Sequence, residues 1–166
     1  MEHGAAPGLA PEWAVALEAS GLGEAMRHST WLYPTANLLH LLGLVLLVGS
    51  MVALDLRLLG VAAAVPAAAL SRFLTPVAAG GLVLLLGSGF AMFAADAGPL
   101  AGNRLLQAKW ALIALGIANA LLFRWLWRER LAGWDDAAPV AGRAQAALSL
   151  AIWFAAATAG RLIAYY

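Results

Sequence analysis

The sequence predicts an all-α fold: a bundle of four transmembrane helices, preceded by a short interfacial helix, with both termini on the outer side. Apolar residues make up 63% of the chain and charged ones 11%, against about a quarter charged in soluble domains. Mean hydropathy is +0.82. Four runs, 31–54, 73–95, 105–123 and 144–166, reach the roughly 20 residues a helix needs to cross the hydrocarbon core. No strand-like alternation appears, and only helices or closed barrels satisfy the backbone in lipid.

Composition also excludes several classes of function. Cysteine is absent, which removes disulfides, thiolate metal sites and Cys nucleophiles. A net charge of +1 without a basic cluster gives no nucleic-acid surface. The first residues lack the basic region and early apolar core of a signal peptide, so the first apolar run is expected to be retained as a span. Two regions result: an N-terminal surface segment, 1–30, and a transmembrane domain, 31–166.

Taken in order, Pro11 and Glu12 read as a helix start. Segment 12–26 sets Trp13, Leu17 and Met26 among Glu12, Glu18 and Glu24. It is too short and acidic to span, and reads as one or two surface helices broken near Gly21 and Gly23, or as a mobile tail. The first span ends near Asp55 and Arg57, and a linker with Pro66 leads to Arg72. The second span has Pro76 in its first turn and glycines at 80, 81, 87 and 89; Asp96, Gly98 and Pro99 make a turn. The third carries Lys109 near its start and ends at Arg124, Trp125, Trp127 and Arg128. A polar loop with Asp135, Asp136 and Pro139 precedes the fourth, which has Arg161 in its last turns.

The arginines set the expected orientation. Arg57, Arg72, Arg124, Arg128, Arg130 and Arg143 share one side, opposite an N-terminal segment with four glutamates. The positive-inside rule places these six in the cytoplasm, which suits a multi-pass protein of the bacterial inner membrane. Trp31, Tyr33, Trp110, Tyr165 and Tyr166 would form the outer aromatic belt, and Trp125, Trp127 and Trp134 the inner one.

His40 is the only acidic or basic side chain between Trp31 and Leu54. Polar groups in hydrocarbon are costly unless partnered, so such residues pair, bind something or move protons. This topology brings Lys109, Arg161 and Met92 to the depth of His40. Two cations without a carboxylate at that depth call for an anion such as lipid phosphate or cofactor carboxylates. Haem supplies an iron for an imidazole and two propionates for basic partners. His40 thus becomes the candidate metal ligand, Lys109 and Arg161 the propionate partners or proton carriers, and Met92 a second ligand. Small residues on the His40 face (Ala36, Gly43, Ser50, Ala53) and Gly80, Gly81, Gly87, Ser88 and Gly89 would admit a flat ring, or equally let helices pack tightly. The bland readings are a His40 hydrogen-bonded to Asn37 or a neighbouring helix, snorkelling for Lys109 and Arg161, and core filler for Met92.

Elsewhere, Asp55 and Arg57 read as a structural salt bridge with Arg72 or the loop between the last two spans. Asn119 reads as an interhelical hydrogen-bonding residue. Trp153 lies mid-span, packing internally or lining a cavity. His3 and His28 could join His40 at a metal, but no spacing supports it.

The pieces Trp31-Leu32-Tyr33-Pro34, His40 with Gly43, Leu54-Asp55-Leu56-Arg57-Leu58-Leu59-Gly60, Lys109, Asn119-Ala120 and Gly160-Arg161-Leu162-Ile163-Ala164-Tyr165 resemble an uncharacterised bacterial family of four-helix membrane proteins. More distantly, the chain is similar to the superfamily containing copper resistance protein D and the membrane protoporphyrinogen oxidase of haem synthesis. There a histidine opens a transmembrane helix, followed by small residues and a basic position, as with Gly49-Ser50 and Arg57 here. Gln107-Ala108-Lys109-Trp110 is similar to the start of the oxidase's third helix. The resemblance implies a b-type haem ligated by His40, with Lys109 essential. The expectation is therefore a haem-b protein of the lipid bilayer, transferring electrons or oxidising a quinol or porphyrinogen. The competing expectations are a non-catalytic subunit of a larger membrane complex and, last, a copper permease. A homodimer could also enclose the cofactor.

Overall fold

A computed structural model describes residues 10–134, 138–163 and 165. His3, Asp135, Asp136 and Tyr166 lie outside the described residues. Among those described there are seven α-helices and no strands: α1 Glu12–Glu18, α2 Gly21–His28, α3 Leu32–Leu58, α4 Ala67–Ala95, α5 Ala97–Ala101, α6 Arg104–Trp127 and α7 Val140–Leu162. Helices α3, α4, α6 and α7 are long and apolar enough to cross a membrane, which bears out the four-span bundle.

The surface segment forms two helices that dock on one end of the bundle. The break falls at Ala19 and Ser20. The Ser20 hydroxyl accepts from Gly23 N and caps α2, while Glu24 opens that helix and Arg27 and His28 close it, matching its dipole. Gly23 is needed for close approach, since a Cβ there would lie 2.7 Å from the Ala94 carbonyl. Arg27 donates to Ala95 O at 2.9 Å, satisfying a carbonyl that the end of α4 leaves open. Glu18 accepts from Gly98 N at 2.8 Å, and α5 forms where the sequence suggests only a turn. Ala14, Phe93, Ala97 and Leu106 bury together beneath this cap.

Two span boundaries differ from expectation. Helix α3 runs to Leu58 and stops at Gly60, whose φ of +106° suits glycine. Gly60 N bonds to Arg57 O and Val61 N to Leu56 O, the Schellman pattern of helix termination. The Arg57 guanidinium donates to Ala63 O at 3.0 Å and to Val65 O, closing the loop. Helix α4 then begins after Pro66, so Pro76 is interior rather than in the first turn. Three alanines and a leucine after Pro66 are strong helix formers, and exposed Arg72 does not interrupt them.

Backbone contact between α3 and α4 is the closest seam. A Cβ on Gly43 would lie 2.8 Å from Gly81 O, and one on Gly81 would lie 2.6 Å from Leu47 N. Gly80 and Gly87 face open space instead. Helix α6 packs on α7, where the Trp153 ring comes within 2.8 Å of a Cβ placed on Gly116, and beyond α6 Trp134 comes within 2.7 Å of one on Gly142. Helix α3 also touches α7, whereas α4 and α6 form no comparable seam. Their ends beside the α1–α2 cap are joined by an edge-to-face contact of Phe93 and Trp110, with centroids 5.3 Å apart. At the other end, Leu54, Leu58, Ala67, Leu131, Trp134 and Ala146 form a plug. Trp134 is therefore buried rather than a belt residue, held against Phe123 and Trp127. Trp125 and Trp31 are largely exposed, as a belt requires.

Replacing Gly81 by Leu should cost about 3 kcal/mol or more, because main chain rather than a flexible side chain meets the new atoms. Gly80→Ala should instead be neutral or stabilising by about 0.5–1 kcal/mol. Unfolding in mixed micelles followed by circular dichroism checks both, and equal effects at the two positions would refute the seam.

Candidate functional site

His40 rests on α4 rather than on Asn37. Its Nδ1 lies 3.0 Å from Ser88 Oγ, and the Leu85 main chain also faces the ring. The Ser88 hydroxyl donates its one proton to Leu84 O, so its oxygen is left to accept. With its own proton on Leu84 O, the Ser88 oxygen accepts from His40 Nδ1–H, which leaves the lone pair of the imidazole on Nε2. Gly89 lets the ring sit this close, since a Cβ there would be 3.1 Å from Cε1.

Lys109 lies within electrostatic range of His40. Its stem crosses α7 at Gly160, where a Cβ would meet Cε and Nζ at 3.2 Å. The amine has no hydrogen-bond or ion-pair partner among the described residues. Arg161 is placed differently. It is exposed, donates to the Tyr165 hydroxyl at 2.6 Å and stacks over that ring. Met92 packs against Met26, Ala36 and Ala95 beneath the α2 cap. Of these four residues, His40 and Lys109 are thus the two within electrostatic range of each other. His28 is exposed at the end of α2, and among the described residues no three His, Cys, Asp or Glu side chains come together.

A second polar assembly, read from sequence only in fragments, lies in the other half of the bundle. A cavity of about 470 Å³ sits between α4 and α6, floored by α3 and α7. Its polar lining comes from Ser50, Asp55, Asn119, Gln145, Ser149 and Trp153, with Ser71, Thr75 and Arg124. Asp55 Oδ2, Ser149 Oγ and Trp153 Nε1 are buried with no hydrogen-bond partner; their residues are 3%, 2% and 4% exposed. Ser149 stands beside the Asp55 carboxylate in a geometry that forms no hydrogen bond. Each such orphan costs about 1–3 kcal/mol. The interhelical bond at Asn119 is made by its main chain, whose carbonyl accepts from Gln145 Nε2, while Gln145 Oε1 accepts from Trp127 Nε1.

Four apolar helices carrying buried polar groups at two depths define a small multi-pass integral membrane protein. Within that class the chain belongs to the family of unknown function DUF6644, which matches residues 11–166. No curated protein and no solved structure matches it.

The tautomer of His40 is directly measurable. Nitrogen-15 spectra of histidine-labelled protein should show one imidazole locked with its proton on Nδ1. Ser88→Ala should release that lock with the fold retained, and an unchanged spectrum would remove Ser88 as the partner.

Proposed function

We propose that this protein binds haem b through Nε2 of His40 and works in electron transfer or in oxidation of a lipophilic substrate, within the bacterial inner membrane with both termini outside. The observation that carries this reading is the relay from His40 Nδ1 through Ser88 to the Leu84 carbonyl. Histidines that ligate metals typically donate their other N–H to such a partner, which fixes the ring and raises the basicity of the ligating nitrogen. Haem would supply one-electron chemistry at the ligated iron.

The residues present fit the group in part. His40 offers an oriented lone pair, and Lys109 offers a cation to a propionate. Arg161 would have to leave Tyr165, and Met92 would have to leave the α2 cap, to take the roles its neighbours do not fill. The reading therefore rests on His40 as ligand and Lys109 as counter-charge.

Protein purified from haem-sufficient cells should show a Soret band that His40→Ala abolishes. Ser88→Ala should keep the band and raise the midpoint potential, because the imidazole then loses electron density it gains from donating Nδ1–H. Lys109→Met should weaken haem retention without unfolding the bundle. A colourless, folded preparation would favour a non-catalytic subunit of a larger membrane complex.

A further inference from the structure

The cavity between α4 and α6 does not include His40, and its polar groups play no part in the haem reading. Its rim is exposed on both sides, at Pro76 and Ala79 of α4 and at Leu121 and Arg124 of α6. Those helices lack a close seam along this stretch, so the opening faces the bilayer laterally. The volume falls within the range typical of small-molecule sites. Apolar walls from Leu47, Leu54, Leu82 and Ile117 suit a ligand that arrives dissolved in lipid.

The orphaned groups specify more than greasiness. Trp153 Nε1 is a donor only, an ionised Asp55 an acceptor only, and the Ser149 hydroxyl can do either. Ser149 lies beside Asp55, and Trp153 is one helical turn further along α7, a rise of about 6 Å. A lipid tail would leave all three unsatisfied. An alkylammonium could meet Asp55 and Ser149 but has no acceptor to offer the indole N–H. A six-membered ring with an oxygen at each end can serve all three, since one hydroxyl can donate to Asp55 while the opposite oxygen accepts from Trp153.

We propose that this lateral cavity is a binding site for the head of a lipophilic 1,4-quinol, with Asp55 and Ser149 holding one ring oxygen and Trp153 Nε1 the other. The tail leaves between α4 and α6 into the bilayer. Toward the ionised carboxylate the reduced form binds more tightly than the oxidised form, because a quinone has no proton to offer it. Benzoquinols and naphthoquinols share this chemistry.

The test uses the full chain in lipid nanodiscs, titrated by calorimetry with a short-tailed benzoquinol, its quinone and the corresponding naphthoquinol. Saturable binding at one site per chain is expected from at least one of the two ring systems. Trp153→Phe keeps the ring packing and removes the donor, and should weaken both redox forms about fivefold. Asp55→Asn should weaken the quinol about tenfold or more while leaving the quinone unchanged or tighter. Ala120→Phe fills the cavity and should abolish binding, with circular dichroism confirming the fold in every variant. Non-saturable partitioning, or affinities that ignore Trp153→Phe and Asp55→Asn, would overturn the proposal. So would saturable binding of a long-chain amine, lost in Asp55→Asn, with no binding of any quinol. Ser149→Ala gives a separate readout: removing an orphaned hydroxyl should raise the melting temperature of the ligand-free protein and reduce the further rise that quinol confers by mass action.

Discussion

Main-chain contact between α3 and α4 at Gly43 and Gly81 sets the geometry of everything around it. In lipid there is no apolar driving force to bring helices together, so close packing and polar contacts must do it. Two glycines with carbonyls and amides within van der Waals reach of the opposite backbone fix both the separation and the register of this pair. That register puts Ser88 opposite His40 and Gly89 beneath its ring. It also fixes the side of α3 that turns toward α7, the side carrying Asp55. A shift of one residue would move Ser88 by about 100° around its helix, at 3.6 residues per turn, and leave the imidazole facing hydrocarbon.

The remaining seams explain where space is left. Trp153 against Gly116 binds α6 to α7, and Trp134, on the connection between them, packs against Gly142 of α7. Joining two tight pairs through α3 and α7 alone leaves α4 and α6 unjoined across the middle. The Phe93–Trp110 contact closes one end of that gap and the Trp134 plug closes the other. What stays open is a side window at mid-depth. Pro76 stands on its rim, inside a helix where the missing N–H leaves the Arg72 carbonyl without its usual intrahelical donor.

Much of this was legible in the sequence, and the limits have physical causes. The four spans follow from hydropathy alone, and the importance of His40 follows from the cost of an imidazole in an apolar run. Its partner was not legible, because Ser88 is 48 positions away and one serine among glycines carries no pairing signal. The end of α3 was readable a few residues short, since Asp55 and Arg57 look like interface charges when both are in fact buried. Trp134 read as a belt tryptophan because its position near a span end is right, and only the tertiary fold turns it inward onto Gly142. The cavity was beyond sequence reasoning in kind. Asp55 and Trp153 were visible and Ser149 was not, but a void is defined by which helices fail to touch, and periodicity reports only which faces are apolar.

The two polar assemblies differ in a way that bears on how they could work together. Near the capped end, the open groups are basic: an imidazole lone pair and an amine. Toward the arginine-rich end, they are a carboxylate oxygen, a hydroxyl and an indole donor. Leu47, Ala78 and Trp153 pack together as the layer between them. Seven residues separate His40 from Leu47, a rise of about 10 Å along α3, so a single course of side chains divides the halves. Trp153 belongs to both sides of that division, with its ring in the layer and its N–H unpartnered. Filling the cavity would therefore reach the layer directly through the indole, and through Leu47 the same helix that carries His40. Communication between the two depths, if each holds a ligand, needs no long pathway; it needs only the position of one tryptophan.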